Sequence, residues 1–248
     1  MISDFLAGLG SYGKALSLTA RLGLWKYWLL PGLIGFVIGI GSFSAAWFGG
    51  AGVGSQLVDW YPWDRGAEFF SRAAPWLTRI LILIFTVLVF KHILLVVVSP
   101  FMSMLSEQVE AHYVDVQPRP FSWSRAGREM IRGLRIALRN LWRELLIVLL
   151  LTLLSFFGPL AIVTGTLIFL VQSYYAGFGN FDFSLERKFT VRETVRFVRS
   201  SRGSATANGL VFLLLISTVV GILVAPAWST IAAAIEVERI QAKQHGLY

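Results

Sequence analysis

The stretch Arg21-Leu22-Gly23-Leu24-Trp25-Lys26-Tyr27-Trp28-Leu29-Leu30-Pro31 carries residue types that could hold an anion. A glycine just before a helix lets the backbone approach a ligand closely, and the free N–H groups of the first helical turn point at it. Gly23 and Leu24 would supply those N–H groups, Trp25 lies beside them, and Lys26 and Arg21 would add charge. The same residues suit a basic anchor with tryptophans at a membrane boundary. Glu107 and Glu110 lie one helical turn apart with His112 close by, a spacing that mimics metal ligands and also describes a solvated helix end. Lys91 and His92 sit deep in an apolar run, where charge is costly and faces a protein interior or water. The pair fits a pore, and Lys91 also fits a side chain that snorkels or meets a carboxylate.

No enzyme is expected from these residues. The three histidines, His92, His112 and His245, form no H-E-x-x-H, and there is no phosphate-binding loop or G-x-S-x-G. The chain has no cysteine, which excludes disulfides, thiolate metal sites and a cysteine nucleophile. No cofactor or metal is called for.

The elements that must position these residues are apolar helices. With 248 residues, 56% hydrophobic and only 15% charged, the chain reads as one all-α integral membrane domain over residues 1–248. Its net charge of +8 flanks apolar segments without any nucleic-acid motif, so anionic lipid headgroups or an anionic solute are the expected partners, and nucleic acid is not. The first apolar run begins after Lys26 and is too long for a cleavable signal. Residues 27–48 form the first transmembrane helix and 76–98 the second, which should run on through Ser99-Pro100 towards Tyr113. Gly32, Gly35, Gly39 and Gly41 permit close approach of another helix to the first span. Residues 1–20 read as a weakly specified amphipathic segment at the interface. Trp60-Tyr61-Pro62-Trp63 would place an aromatic foot at a membrane boundary. Lys14, Arg21 and Lys26 precede the first span, whereas Asp59, Asp64 and Glu68 with Arg65 and Arg72 follow it, so the N-terminus should be cytoplasmic.

Two shorter apolar pairs follow. Leu145 to Phe157 and Leu160 to Val171 flank Gly158-Pro159, and each arm extends about 20 Å if helical, short of a hydrocarbon core of about 30 Å. Proline breaks the ladder, so the segment 145–175 reads as a hairpin that dips in and returns, or as one kinked span. Before it, Arg125, Arg128, Arg132, Arg135, Arg139 and Arg143 fall within an arc of about 80° at about 100° per residue. Ile131, Leu134, Leu138 and Leu141 form a neighbouring apolar stripe, the pattern of a helix lying among anionic headgroups. The plan repeats: Arg187, Lys188, Arg192, Arg196, Arg199 and Arg202 lead into a second hairpin, 207–235, broken at Ala225-Pro226. If both hairpins return to the side they left, the C-terminus is cytoplasmic too.

Four stretches carry a resemblance. Arg21 to Gly35 is similar to an R-P-G-L-R-R-F-x-x-x-P-L-x-x-N segment, and Ser99-Pro100-Phe101 through Leu105 to Glu110 to S-P-F-x-x-x-L-x-E-x-V-E. Phe181 to Arg187 followed by Arg192 to Phe197 is similar to a D-Y-P-x-E-R and S-F-R-E-x-x-R-F block, and Ala225-Pro226 to a proline-rich last hairpin. Together they resemble the CysZ sulfate permease family, related to the etoposide-induced membrane proteins. The resemblance implies a bacterial inner-membrane protein of two long helices and two partly penetrating hairpins, a homo-oligomer that moves sulfate inward for cysteine synthesis. It implies anion binding at Gly23, Leu24 and Trp25, with Lys26 and Arg21 as the nearby cations. Read from their charge alone, Lys91, His92, Glu107, Glu110, Asp182, Glu186 and Arg187 are the candidate pathway or coupling residues. Trp25 stands where the family has arginine, and Ser184 where it has proline. The competing expectation is a scaffold or anionic-lipid-binding protein that transports nothing.

Overall fold

The computed structural model of the chain describes residues 2–59, 67–114, 117–155 and 160–244. Trp60-Tyr61-Pro62-Trp63, Asp64, Arg65, Gly158-Pro159 and His245 lie outside the described residues, as do the side chains of Asp59, Glu68 and Arg72. Among the described residues every regular element is a helix: α1 (Ile2–Leu22), α2 (Lys26–Asp59), α3 (Ala67–Tyr113), α4 (Trp123–Ser155), α5 (Ala161–Leu185), α6 (Val191–Ser200), α7 (Arg202–Ile216) and α8 (Val219–Gln244). Segments of α2, α3, α5 and α8 are long and apolar enough to cross a membrane. The chain separates into two compact units, Met1–Gly35 with His92–Tyr248, and Phe36–Lys91.

In the smaller unit Phe43 meets Phe90 at 5.9 Å between ring centroids, and the Arg79 guanidinium lies 5.4 Å from the Trp47 ring and 5.2 Å from that of Trp76. In the larger unit α1 is a full helix of 21 residues, not a loosely specified segment. It buries Gly8, Ser11, Tyr12, Ala15, Leu18 and Thr19, one stripe at spacings of three and four. Tyr12 anchors that stripe: its hydroxyl donates to Asn208 O at 2.7 Å and lies 2.8 Å from Ser229 Oγ. Asn180 Nδ2 donates to Asn208 Oδ1, and Asn208 Nδ2 to Ser229 O, so the ladder ties α1, α5, α7 and α8 together.

Helices α5 and α7 cross backbone to backbone. A Cβ on Gly177 would strike Ala205 O, and one on Gly209 would strike Ser173 O, so glycine is required on both sides. Phe178, Phe181, Leu185, Val198, Ala205 and Ala233 fill the core around this crossing.

Both hairpins differ from the sequence expectation. The arginine stripe and the first arm are one helix of 33 residues, α4, and the return helix α5 has 25. Counting only apolar residues underestimated both arms, because polar residues continue the helices beyond the apolar runs. In the second hairpin the chain turns at Ser217-Thr218, while Pro226 lies inside α8. The turn is fixed locally: Thr218 Oγ1 accepts from the Gly221 N–H and donates to Leu215 O. Pro226 forfeits one ladder bond, and the surrounding packing tolerates it. Gly32 and Gly35 do support a close approach, lying against Leu223 and Leu94.

Candidate functional site

Helix α4 is polar inside and apolar outside. Its buried residues are Ala126, Glu129, Ile136, Asn140 and Glu144, whereas Ile131, Leu134, Leu138 and Trp142 are exposed. At about 100° per residue Glu129, Asn140 and Glu144 fall within an arc of about 60°, beside the arginine arc and away from the leucines. Such a helix suits a protein whose surroundings are apolar and whose interior handles charge.

The interior groups come from α3, α4 and α5. Arg187, just past the end of α5, is only 9% exposed and donates to Glu110 Oε2 at 2.7 Å, Ser106 Oγ at 2.9 Å and Phe183 O at 2.9 Å. Lys188 joins Glu110 at 3.0 Å and Glu238 at 2.7 Å. Glu107 accepts from the Arg119 side chain at 3.1 Å and lies 3.8 Å from Arg125, which also pairs with Glu129 at 3.4 Å. A cavity of about 300 Å³ opens here among Glu107, Glu110, Arg119, Arg187 and Lys188. Glu107 and Glu110 are therefore salt-bridged members of a network, and the expected solvated helix end is not what forms.

One turn further in, Arg132 donates to Asp182 Oδ1 at 3.0 Å, Thr194 Oγ1 at 2.8 Å and Phe189 O at 2.8 Å. Arg132 thus points inward, not at headgroups, because Asp182, Thr194 and Phe189 O offer it acceptors there. Deeper still, a 20 Å³ void lined by His92, Asn140 and Asp182 has room for about one water. His92 Nε2 lies 2.9 Å from Glu144 Oε2, both buried. Lys91 is fully buried in the smaller unit.

Glu186 stands between these clusters, its Oε1 without a hydrogen-bond partner among the described residues. Burial first, then the Asp182 carboxylate, push its carboxyl from 4.5 up to about 8. Burial likewise raises Glu129, against the pull of Arg125. The sign follows from linkage: the folded protein keeps the Glu186 proton where the unfolded chain has lost it, so stability falls as pH rises from about 4.5 to about 8 and then levels off. Glu186→Gln, with no proton to lose, is expected to flatten that fall. Thermal unfolding in detergent across this window checks it, and equal slopes for wild type and variant would count against the assignment.

The α1–α2 turn is ordered by its own hydrogen bonds. Gly23 adopts φ 62°, and the Leu24 N–H donates to Thr19 O at 3.0 Å, closing α1 in a Schellman turn. That corrects one expectation: the Leu24 N–H is consumed by the helix cap and its side chain is buried, so it cannot be offered to a ligand. The Tyr27 and Trp28 N–H groups bond back to Leu24 O and Trp25 O. Arg21, Trp25 and Lys26 remain exposed, with Lys26 Nζ 5.2 Å from the Tyr27 ring centroid.

Residues 11–239 match the profile described as sulfate transporter CysZ/etoposide-induced protein 2.4. The chain belongs to that family. A comparison with curated proteins gave no match. Membership of the CysZ/etoposide-induced family and the apolar helices make this a multi-pass membrane protein. The fold gathers Glu107, Glu110, Asp182, Glu186 and Arg187, all expected from the sequence, in one region, and adds Arg132, Asn140, Glu129 and Glu144, which were not expected there. The last three had a readable signal, the shared arc on α4.

Proposed function

We propose that the protein is a permease for an inorganic oxyanion, sulfate foremost, that serves uptake for cysteine synthesis across the bacterial inner membrane. The observation that carries the reading is the buried chain of arginine–carboxylate pairs from Arg187 to Arg132 inside helices with apolar exteriors. A guanidinium recognises a planar pair of oxyanion oxygens as it does a carboxylate. Sulfate would exchange for Glu110 on Arg187 and then for Asp182 on Arg132. A protonated Glu186 lowers the negative charge along that route. Arg21, Lys26 and the Gly23 backbone form a docking point at the cytoplasmic end of the first span, with Trp25 reducing its strength relative to an arginine.

In this reading α2 and α3 span the bilayer, and both termini are cytoplasmic. Helix α7, with 15 residues, extends about 22 Å, so the α7–α8 hairpin penetrates partway. A second copy of the chain covers its Ser217-Thr218 turn, which favours a homo-oligomer.

Uptake of radiolabelled sulfate by purified protein in lipid vesicles tests the function, and flux no greater than in protein-free vesicles would sink it. Lys26→Glu is expected to weaken sulfate binding at least tenfold, since a charge-assisted hydrogen bond contributes about 1.5 to 3 kcal/mol. Trp25→Arg is expected to tighten it. Arg135→Ala, on the exposed part of the arginine arc, is the control; the inward-facing Arg132 would not serve. Titration calorimetry that gave one affinity for wild type, Lys26→Glu and Trp25→Arg would remove the docking point.

A further inference from the structure

A second basic site lies apart from the charged pathway. A cleft of about 610 Å³ between α1, α4, α5, α6 and α7 is lined at one end by Arg139, Arg143, Arg199 and Arg202 around Tyr174. Among the described residues no carboxylate lines it, and none of the four arginines is in an ion pair. Arg139 donates to Asn140 Oδ1 at 2.7 Å and lies 5.5 Å from the Phe178 ring centroid, and Arg202 donates to Arg199 O at 3.3 Å. These contacts hold the Arg139 and Arg202 guanidiniums in place without neutralising them.

The cleft is graded. Helices α4 and α5 run antiparallel, as the contacts of Arg132 with Asp182 and of Arg139 with Phe178 fix. Moving from Arg139 to Ile147 on α4, about 12 Å, therefore runs alongside the stretch from Tyr174 back to Leu167 on α5, about 10 Å. Over that distance the lining changes from guanidinium and phenol to Ile147, Leu167, Leu170 and Val171. A free inorganic anion would leave the apolar end facing water, and a zwitterionic headgroup would bring its ammonium among four cations with no carboxylate to meet it. Charge and apolar wall are satisfied together by a ligand with a phosphate at one end and alkyl chain at the other.

We propose that this cleft is a discrete binding site for an anionic phospholipid of the phosphatidylglycerol class, its phosphate held by Arg139, Arg143, Arg199 and Arg202 and its chains leaving along Ile147, Leu167 and Val171. It is a site on the permease and shares no charged residue with the pathway described above. It also goes beyond a general attraction of basic surface to acidic lipid, because it is built by five helices and selects for a headgroup without an amine.

Native mass spectrometry of the detergent-purified, delipidated full chain tests the site, with phosphatidylglycerol, phosphatidylcholine of the same chains, and glycerol 3-phosphate as probes. Phosphatidylglycerol is expected to be retained at least tenfold better than phosphatidylcholine, and glycerol 3-phosphate not to be retained. Arg143→Gln with Arg199→Gln is expected to lower phosphatidylglycerol retention at least tenfold. Both side chains are exposed, so the fold is not at stake. Arg135→Gln with Arg192→Gln removes two exposed cations outside the cleft and is expected to leave retention unchanged. Equal retention of the two lipids in the wild type, equal losses in the two double variants, or glycerol 3-phosphate bound as tightly as the whole lipid would each overturn the proposal.

Discussion

Replacing Gly177 or Gly209 with valine is expected to abolish the folded protein. A side chain at either position meets the backbone of the partner helix, Ala205 O for Gly177 and Ser173 O for Gly209, and a backbone carbonyl cannot rotate away as a side chain can. Ordinary overpacking costs about 1 to 3 kcal/mol. Here α5 and α7 must separate along the crossing, which also loosens the Asn180–Asn208 bond and the Phe178–Phe181 core, so the cost should exceed about 4 kcal/mol, the range reserved for severe lesions. Size-exclusion profile and thermal midpoint in mild detergent report it. Gly165→Ala on the same α5 is the control, because nothing lies within 4 Å of a Cβ there. Alanine is favoured over glycine in a helix by about 0.5 to 1 kcal/mol, so this variant should be unchanged or slightly more stable. A Gly177→Val protein with the wild-type profile and midpoint would show that the crossing is looser than described.

Arg187→Gln is the second large effect. The arginine is nearly buried and gives hydrogen bonds to Glu110, Ser106 and Phe183 O, with Glu107 3.9 Å away. Removing one partner of a buried pair costs about 3 to 5 kcal/mol when the other charge is left bare, and Lys188, 3.0 Å from Glu110, keeps the cost here towards the lower end. Adding Glu110→Gln to the variant should recover a good part of that loss, since the carboxylate that has lost its main partner is then gone. Arg187→Lys should recover little, because a single ammonium cannot reach the Glu110 and Ser106 sides of the fork at once. Thermal unfolding of wild type, Arg187→Gln, Glu110→Gln and the double variant closes the cycle, and additive losses in the double variant would show that the two residues are not energetically coupled. Sulfate flux should be lost in the single variant and stay lost in the double variant, where stability is recovered.

What could be read from the sequence depended on whether the signal was local. Helix α3 running through Ser99-Pro100 to Tyr113 was legible, since the apolar run passes into a polar stretch without a turn signal. The turn of the second hairpin was not. Proline at 226 is the stronger breaker by local rules, but inside an apolar bundle a missing N–H is tolerated, and Ser217-Thr218 with Gly221 makes the tighter turn. The six arginines of α4 were legible as a stripe, but which of them turn inward was not. Arg132 is decided by Asp182 and Thr194, which lie 50 and 62 positions away in the chain. Gly23 reads from the sequence as a glycine just before a helix, but the role of the Leu24 N–H depends on its capping bond to Thr19, a choice between two uses of one donor that residue types alone do not settle.

The inverted polarity of α4 bears on how the chain is made. A segment enters a bilayer on its own when its outward apolar surface outweighs the polar groups it must carry in, and α4 carries Glu129, Asn140 and Glu144 on one side with six arginines next to them. Its partners on α3, Glu107 and His92, have already been synthesised, but Asp182 emerges only after α5 is almost complete. Helix α4 is therefore expected to be committed late, when the next 25-residue helix delivers the acid that Arg132 needs, so that the two helices enter as a pair where hydropathy would count them singly.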